Sequence, residues 1–259
     1  MSNDIFIKRD GQIAYLTLNR PARKNALNSA MWRAIPELLN DVEADKDIKV
    51  LIVHGGDSGD FAAGADISEF GGIKTKDASA AYGRAVFSGM QALGNFPKPT
   101  IAMISGACIG GGCGIALACD LRFADDTATF GITPAKLGLA YGLYDTKRLV
   151  DAVGVAKAKD ILFTGRLFPA AEALTMGLID RQFESDALHE QTITYVQSIC
   201  NASQFTTRAS KKIIQMIVDG ETSDTDETRA LFAQAFHNED FKEGSKAFME
   251  KRKPKFTYS

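Results

Sequence analysis

Two glycine-rich turns carry the chemistry that this sequence can offer. The first is Phe61-Ala62-Ala63-Gly64-Ala65-Asp66-Ile67, and the second runs from Gly106 to Gly114 through Gly110-Gly111-Gly112. Each follows a short apolar run and leads towards a helical pattern. A turn of that kind presents backbone N–H groups without an intrahelical acceptor, at the positive end of a helix dipole. Two such turns facing one point would hold a developing oxyanion. Close helix–strand packing would also select glycine, and for the triple glycine alone the two readings are balanced. Three consecutive glycines weaken a helix start, which favours a reason beyond packing.

The rest of the composition narrows the options. The chain has 259 residues, 45% of them hydrophobic, and a formal net charge of −2. At roughly 150 residues per domain this is one large domain, or one with an appendage. It needs no disulfide or metal staple at this size. The balance of charge argues against a nucleic-acid partner, because no long basic run stands apart from acidic neighbours. Only three histidines occur, His54, His189 and His237, so no multi-histidine metal site is expected. The spacings of Cys108, Cys113 and Cys119 fit neither a zinc ribbon nor a redox pair. With Cys200 they read as small buried hydrophobes of a reducing cytoplasm. The N-terminus lacks the pattern of a signal peptide. The longest apolar stretch, 101–119, is broken by glycines, so no membrane span is expected.

The elements that must position the two turns follow from periodicity. Residues 5–9 and 12–19 flank Asp10-Gly11 as a hairpin. Met31, Ile35, Leu38, Leu39 and Val42 lie at helical spacing over 29–44, with Ser29 as cap and Pro36 as the site of a kink. Buried strands are expected at 49–54 and 100–105, a helix at 78–95, and a small-residue helix from the triple glycine to about Ala118. Shorter strands fall at 121–124, 128–130 and 178–183. Helices follow at 186–200 and 203–218, with an amphipathic stretch over 225–250. Asp145-Thr146 is a further cap. The KVLIVHGG…GADISEF and TIAMISGA…GGGCGIA stretches repeat weakly as strand, turn and helix. The order predicts an α/β core with a helical C-terminal region.

The sequence resembles the crotonase superfamily, the enoyl-CoA hydratase/isomerase family. The likeness runs nearly end to end: Asn19-Arg20-Pro21 with Asn25-Ala26-Leu27, FAAGADISEF (61–70), KPTIAMISGACIGGGCGIALACDLRFA (98–124), ATFGITPAKLGL (128–139) and AFMEKRKPKF (247–256). The pairing of AAGAD with the triple-glycine segment is highly specific. The resemblance implies a spiral of ββα units over 1–200 and a helical trimerisation region over 201–259, assembled as trimers or hexamers. It implies a coenzyme A thioester as substrate, with no other cofactor. The thioester oxygen would accept hydrogen bonds from the N–H groups of Ala65 and Gly111. Asn25, Ala26, Ala63, Ala65, Asp66 and Ile67 would face CoA, and Phe232 and Lys251 would close over it, often from a neighbouring subunit. For Lys251 a plain solvated charge is an equal reading.

The sequence departs from the family at the two glutamates with which its hydratases activate water. The first position, three residues after the oxyanion glycine, is Gly114. The second falls on Pro134 in Phe130-Gly131-Ile132-Thr133-Pro134-Ala135. Neither transfers a proton, and a positioned acid or base is worth roughly 10²–10⁴-fold. Ordinary hydration is therefore not expected. Glu69, Tyr141 and Asp145 are the candidate replacements. Glu69 also reads as a solvated helix residue, Asp145 as a helix cap and Tyr141 as packing. Tyr141 matches a tyrosine of the family's malonyl-type decarboxylases, whose chemistry needs no general base. Those enzymes often carry histidine where Ala65 stands.

Readings from other classes are weaker. Gly106-x3-Gly110-x-Gly112 mimics the dinucleotide turn of short-chain dehydrogenases, but it follows the wrong strand and no Y-x3-K pair comes after it. A G-x-S-x-G elbow is absent, which disfavours a serine hydrolase. A CoA-binding protein without chemistry remains as the alternative that the missing glutamates support.

Overall fold

The computed structural model describes residues 3–258. Strands β1 (Ile5–Asp10) and β2 (Ile13–Leu18) form the expected hairpin, in antiparallel register from Ile5↔Leu18 to Asp10↔Ile13. Helix α1 (Ser29–Ala44) returns the chain to β3 (Val50–His54), and α2 (Lys76–Gly94) returns it to β4 (Thr100–Ile104). The short β5 (Ala107–Ile109) and α3 (Gly111–Ala118) lead to β6 (Leu121–Asp125) and β7 (Thr129–Gly131). Helices α4 (Pro134–Leu137) and α5 (Leu143–Thr164), strand β8 (Phe168–Pro169), helix α6 (Ala170–Met176) and strand β9 (Arg181–Phe183) complete the α/β portion. Helices α7 (Leu188–Cys200), α8 (Gln204–Val218), α9 (Asp226–Ala235) and α10 (Glu239–Met249) follow.

One sheet has the order β1-β2-β3-β4-β6-β9, and a second, smaller sheet has the order β5-β7-β8. From β2 onward the pairs of the larger sheet are parallel, as strand–helix–strand crossovers require. Alternate residues of its strands serve opposite faces. Leu51, Val53, Ala102 and Ile104 join the main core beneath α1, α2 and α3. Val50, Ile52, Ile101 and Phe123 pack beneath Leu188, Val196 and Cys200 of α7.

Three local expectations change, and one stretch gains detail. Pro36 sits inside an unbroken α1, and Asn28 rather than Ser29 caps that helix, accepting from Met31 N. Asp145 caps nothing: α5 starts two residues earlier, after Gly142. The 225–250 stretch is two helices, separated at Phe236–Asn238, where Asn238 caps α10. All four cysteines are free and buried. No helix among the described residues is long and apolar enough to cross a membrane.

Candidate active site

The segment 61–66 is stitched between two neighbours, and that pairing leaves one N–H over. Ala62 N donates to Ala107 O at 2.8 Å and Ile109 N to Ala62 O at 2.9 Å. On the other side Leu27 N donates to Gly64 O at 2.7 Å and Asp66 N to Leu27 O at 2.8 Å. Ala65 is the residue bridged to Leu27 in this parallel pairing. Its neighbours' polar groups make the bonds, so its own N–H projects the other way. Gly64, at φ +97, makes the bend possible; a side chain there would meet the Ile109 carbonyl at 2.8 Å.

The second donor comes from the start of α3. Gly110 turns the chain out of β5 at φ 53 and ψ −113, with its N–H held by Gly131 O at 2.7 Å. Gly111 is then the first helical residue, whose N–H has no intrahelical acceptor. The two nitrogens lie close together. A Cβ on Gly64 would stand 3.3 Å from the Gly111 nitrogen, and one on Gly111 would stand 3.6 Å from the Ala65 nitrogen. The same point on Gly111 lies 3.2 Å from Cζ2 of Trp32, so the indole of α1 walls the pair. Trp32 is 1% exposed. The site thus presents two N–H groups and a helix dipole at an apolar wall, an arrangement suited to a negatively charged oxygen.

One helical turn further along α3 is Gly114. A Cβ on it would overlap Cε of Met90 and stand 3.2 Å from the Tyr141 hydroxyl. That hydroxyl is buried with no hydrogen-bond partner among the described residues, and Asp145 Oδ1 is likewise unpartnered. Burial, and then the charge of Asp145, push the Tyr141 hydroxyl well up from its ordinary range. Burial also raises the Asp145 carboxyl, with Arg148 opposing. Tyr141 therefore stays protonated, and Asp145 holds its proton to a higher pH than an exposed aspartate. Tyr141 is brought beside α3, and Asp145 is near enough for its charge to act on the Tyr141 hydroxyl. Pro134 instead starts α4 and is itself aprotic.

Glu69 is occupied otherwise. Its Oε2 accepts from both the backbone N and the Oγ of Ser29, each at 2.7 Å, which ties the segment after Ala65 to the start of α1. Asn25 is fully buried, at φ +55. Its Oδ1 accepts from Arg20 N, and its Nδ2 donates to Gly55 O, Ser58 Oγ and Asp60 O. Asp66 takes Ser68 N and Oγ on Oδ1 and the Arg20 guanidinium on Oδ2 at 2.9 Å. The Ser68 hydroxyl bond is the main cause that lowers its pKa. The side chains of Asn25 and Asp66 are thus committed to shaping the turn. Ala26 O takes a bond from the Arg20 guanidinium, and Ala63 N is held by Lys24 O. Ile67 is 57% exposed.

Phe232 and Lys251 share no hydrogen bond, ion pair or aromatic contact with this cluster among the described residues. Phe232, on α9, stacks edge-on with Phe236 and is 70% exposed. Lys251 follows α10 in a left-handed conformation and is exposed. Trp32 and Met90 were not legible as site residues, since each occupies an apolar helix position like any core residue. The described residues hold no group of three metal-ligating side chains.

The sequence profile described as enoyl-CoA hydratase/isomerase matches residues 8–259. The chain is 37% identical over 255 residues to a Mycobacterium bovis protein named probable enoyl-CoA hydratase, covering 98% of each. It is 34% identical to the short-chain-enoyl-CoA hydratase of Clostridium acetobutylicum, covering 97% of this chain and 96% of that one. A crystal structure of an enoyl-CoA hydratase/isomerase family protein from Hyphomonas neptunium superposes with a TM-score of 0.97 at 48% identity, covering 99% of this chain and 98% of that one.

Proposed function

The chain belongs to the enoyl-CoA hydratase/isomerase family, and on that premise we propose that it stabilises a thioester enolate without being an ordinary hydratase. The observation that carries the reading is the closeness of the Ala65 and Gly111 nitrogens beside an aprotic Gly114. A thioester oxygen placed there accepts both N–H bonds. As the enolate forms, its charge grows on that oxygen, and each preorganised donor contributes about 3 kcal/mol to the transition state. Hydration would further require a base to deprotonate water and an acid for the α-carbon. Gly114 and Pro134 supply neither.

A lyase-type step fits the groups that are present. In a malonyl-type acyl-CoA, the bond from the α-carbon to the carboxylate breaks and CO₂ leaves. The electron pair passes into the enolate held by Ala65 and Gly111. The Tyr141 O–H then delivers its proton to the α-carbon, and the thioester is restored. The tyrosinate left behind is reprotonated from solvent, and the buried Asp145, whose charge acts on Tyr141, favours the protonated phenol. This decarboxylation is the specific alternative that the Tyr141 position favours. A catalytically silent CoA-binding protein is the reading left if no thioester is consumed. Assembly as trimers or hexamers is supported by exposed apolar residues on α9 and α10, among them Phe232, Phe236 and Phe248. A cytoplasmic location is supported by the free cysteines.

The test is a panel of CoA thioesters (crotonyl, methylmalonyl, aryl and β-hydroxy) followed by mass spectrometry. The proposal expects consumption of a thioester other than crotonyl-CoA, lost when the oxyanion donors are obstructed. Efficient hydration of crotonyl-CoA, indifferent to Tyr141 and Asp145, would overturn it.

A further inference from the structure

Glu69 follows Ala65 in a 3₁₀ turn over Ile67–Gly72. Apolar packing does little to fix that turn, since Ile67, Ser68, Gly71 and Gly72 are all exposed. Its start is held by the pairing with Leu27, which ends where Asp66 N donates to Leu27 O at 2.8 Å. Glu69 then rejoins the two segments. Its Oε2 alone accepts from both the N and the Oγ of Ser29, each at 2.7 Å.

Ser29 is the first residue of α1, so its N–H is one of the donors that the helix itself leaves unsatisfied. A carboxylate there also meets the positive end of the helix dipole. Asn28 serves Met31 N instead, at 2.9 Å, so two side chains divide the cap between them. Trp32 lies one turn further along α1, with Cζ2 3.2 Å from the point to which a Cβ on Gly111 would project. One carboxylate therefore joins the segment that carries Ala65 to the helix that walls Gly111. It also lies near α2. Burial first, and then the charge of Glu69, push the Tyr82 hydroxyl up to about 12. The Tyr82 ring packs edge-on against Phe70, with ring centres 5.6 Å apart.

Resting on the thioester-enolate reading, we propose that Glu69 is a positioning residue for the oxyanion pair. It acts as a hydrogen-bond acceptor, not as an acid or a base, and fixes the Ala65 N–H relative to α1 and so to Trp32 and Gly111. Because one oxygen makes both bonds, the carbonyl oxygen of a glutamine can replace it, whereas a glutamine cannot transfer a proton. Misplacing a catalytic group by about 1 Å can cost roughly 10²-fold in rate.

The test uses acetoacetyl-CoA, a β-keto thioester whose enolate absorbs in the near ultraviolet and forms without turnover. The parent should raise the enolate fraction of the bound ligand, and Gly111→Ala should remove most of that rise. Glu69→Ala should lower the enolate-to-keto ratio at least ~10-fold, with the affinity for free CoA unchanged. Glu69→Gln should restore the parental ratio. An unchanged ratio in Glu69→Ala would overturn the positioning role and leave the oxyanion reading standing. A loss in Glu69→Gln as deep as in Glu69→Ala would also overturn it, because the carboxylate would then be needed for its charge or its proton. So would loss of free-CoA binding in Glu69→Ala, the mark of a general loosening of the fold. No enolate band with the parent would overturn the oxyanion reading, and the positioning role with it.

Discussion

The Tyr141 hydroxyl stands 3.2 Å from the point to which a Cβ on Gly114 would project, so a phenol from the segment before α5 occupies the space that a longer side chain on α3 would take. A loop residue brings its polar atom to the face of α3, and the helix carries glycine where the two meet. The substitution at Gly114 and the tyrosine at Tyr141 are therefore one structural feature. The phenol is a weak acid held protonated by burial. It can give a proton to carbon, but it does not deprotonate water.

Gly114→Glu is expected to fold and to gain function. The nearest obstruction is the end of the Met90 side chain, and unbranched methionine moves aside at low cost. Crotonyl-CoA hydration, followed by loss of the enoyl absorbance, should rise at least ~10-fold above the parent, in line with one positioned carboxylate. A folded variant without any gain would show that more than the missing carboxylate limits hydration.

Gly111→Ala should disable the site while sparing the fold. Its methyl would sit 3.6 Å from the Ala65 nitrogen and 3.2 Å from Trp32 Cζ2, crowding the space in front of the Ala65 nitrogen. Turnover of whichever thioester the protein consumes should fall by about 10²–10³. Unfolding by urea should shift by less than about 1 kcal/mol, since alanine suits a helix.

Asp145 gives a pH-dependent signature. Burial raises its folded pKa above the ordinary aspartate value of 3.8. The stability gained by keeping it neutral is whole below that value and is lost as pH rises through the raised pKa. Asp145→Asn, neutral throughout, should become progressively more stable than the parent when melting is compared from about pH 4 to pH 8. A constant difference across that range would contradict the burial of this carboxyl.

Asn25→Ala should destabilise the protein. The side chain holds Arg20 N and the Gly55 and Asp60 carbonyls from a fully buried position at φ +55. Orphaned buried groups cost roughly 1–3 kcal/mol each, and alanine tolerates that backbone poorly. A loss of about 3 kcal/mol in chemical denaturation is expected. A variant as stable as the parent would return Asn25 to a ligand-facing role.

Much of this architecture was legible because apolar periodicity survives into the structure. The hairpin, α1, β3, β4 and the small-residue helix stand where spacing placed them, and the two glycine turns were recognisable from their context. Local capping was less legible, because Asn28 and Ser29 are both good caps and only the tertiary contact decides. Ser29 is drawn to Glu69, which leaves the cap to Asn28. The same contact removes Glu69 from the acid and base candidates, a fact invisible in one dimension. Trp32 and Met90 were illegible for a different reason. A residue that walls an active site on a buried helix face follows the same pattern as one that merely fills a core. The engagement of Asn25 and Asp66 within the turn likewise required the loop to be folded around them.

Crotonyl-CoA hydration by the purified protein, measured beside a relative that carries both glutamates, tests the central claim most directly. The account predicts turnover at least ~10²-fold below that relative, the loss expected from one missing acid or base. Turnover equal to the relative, and unchanged by Tyr141→Phe and by Asp145→Asn, would contradict it.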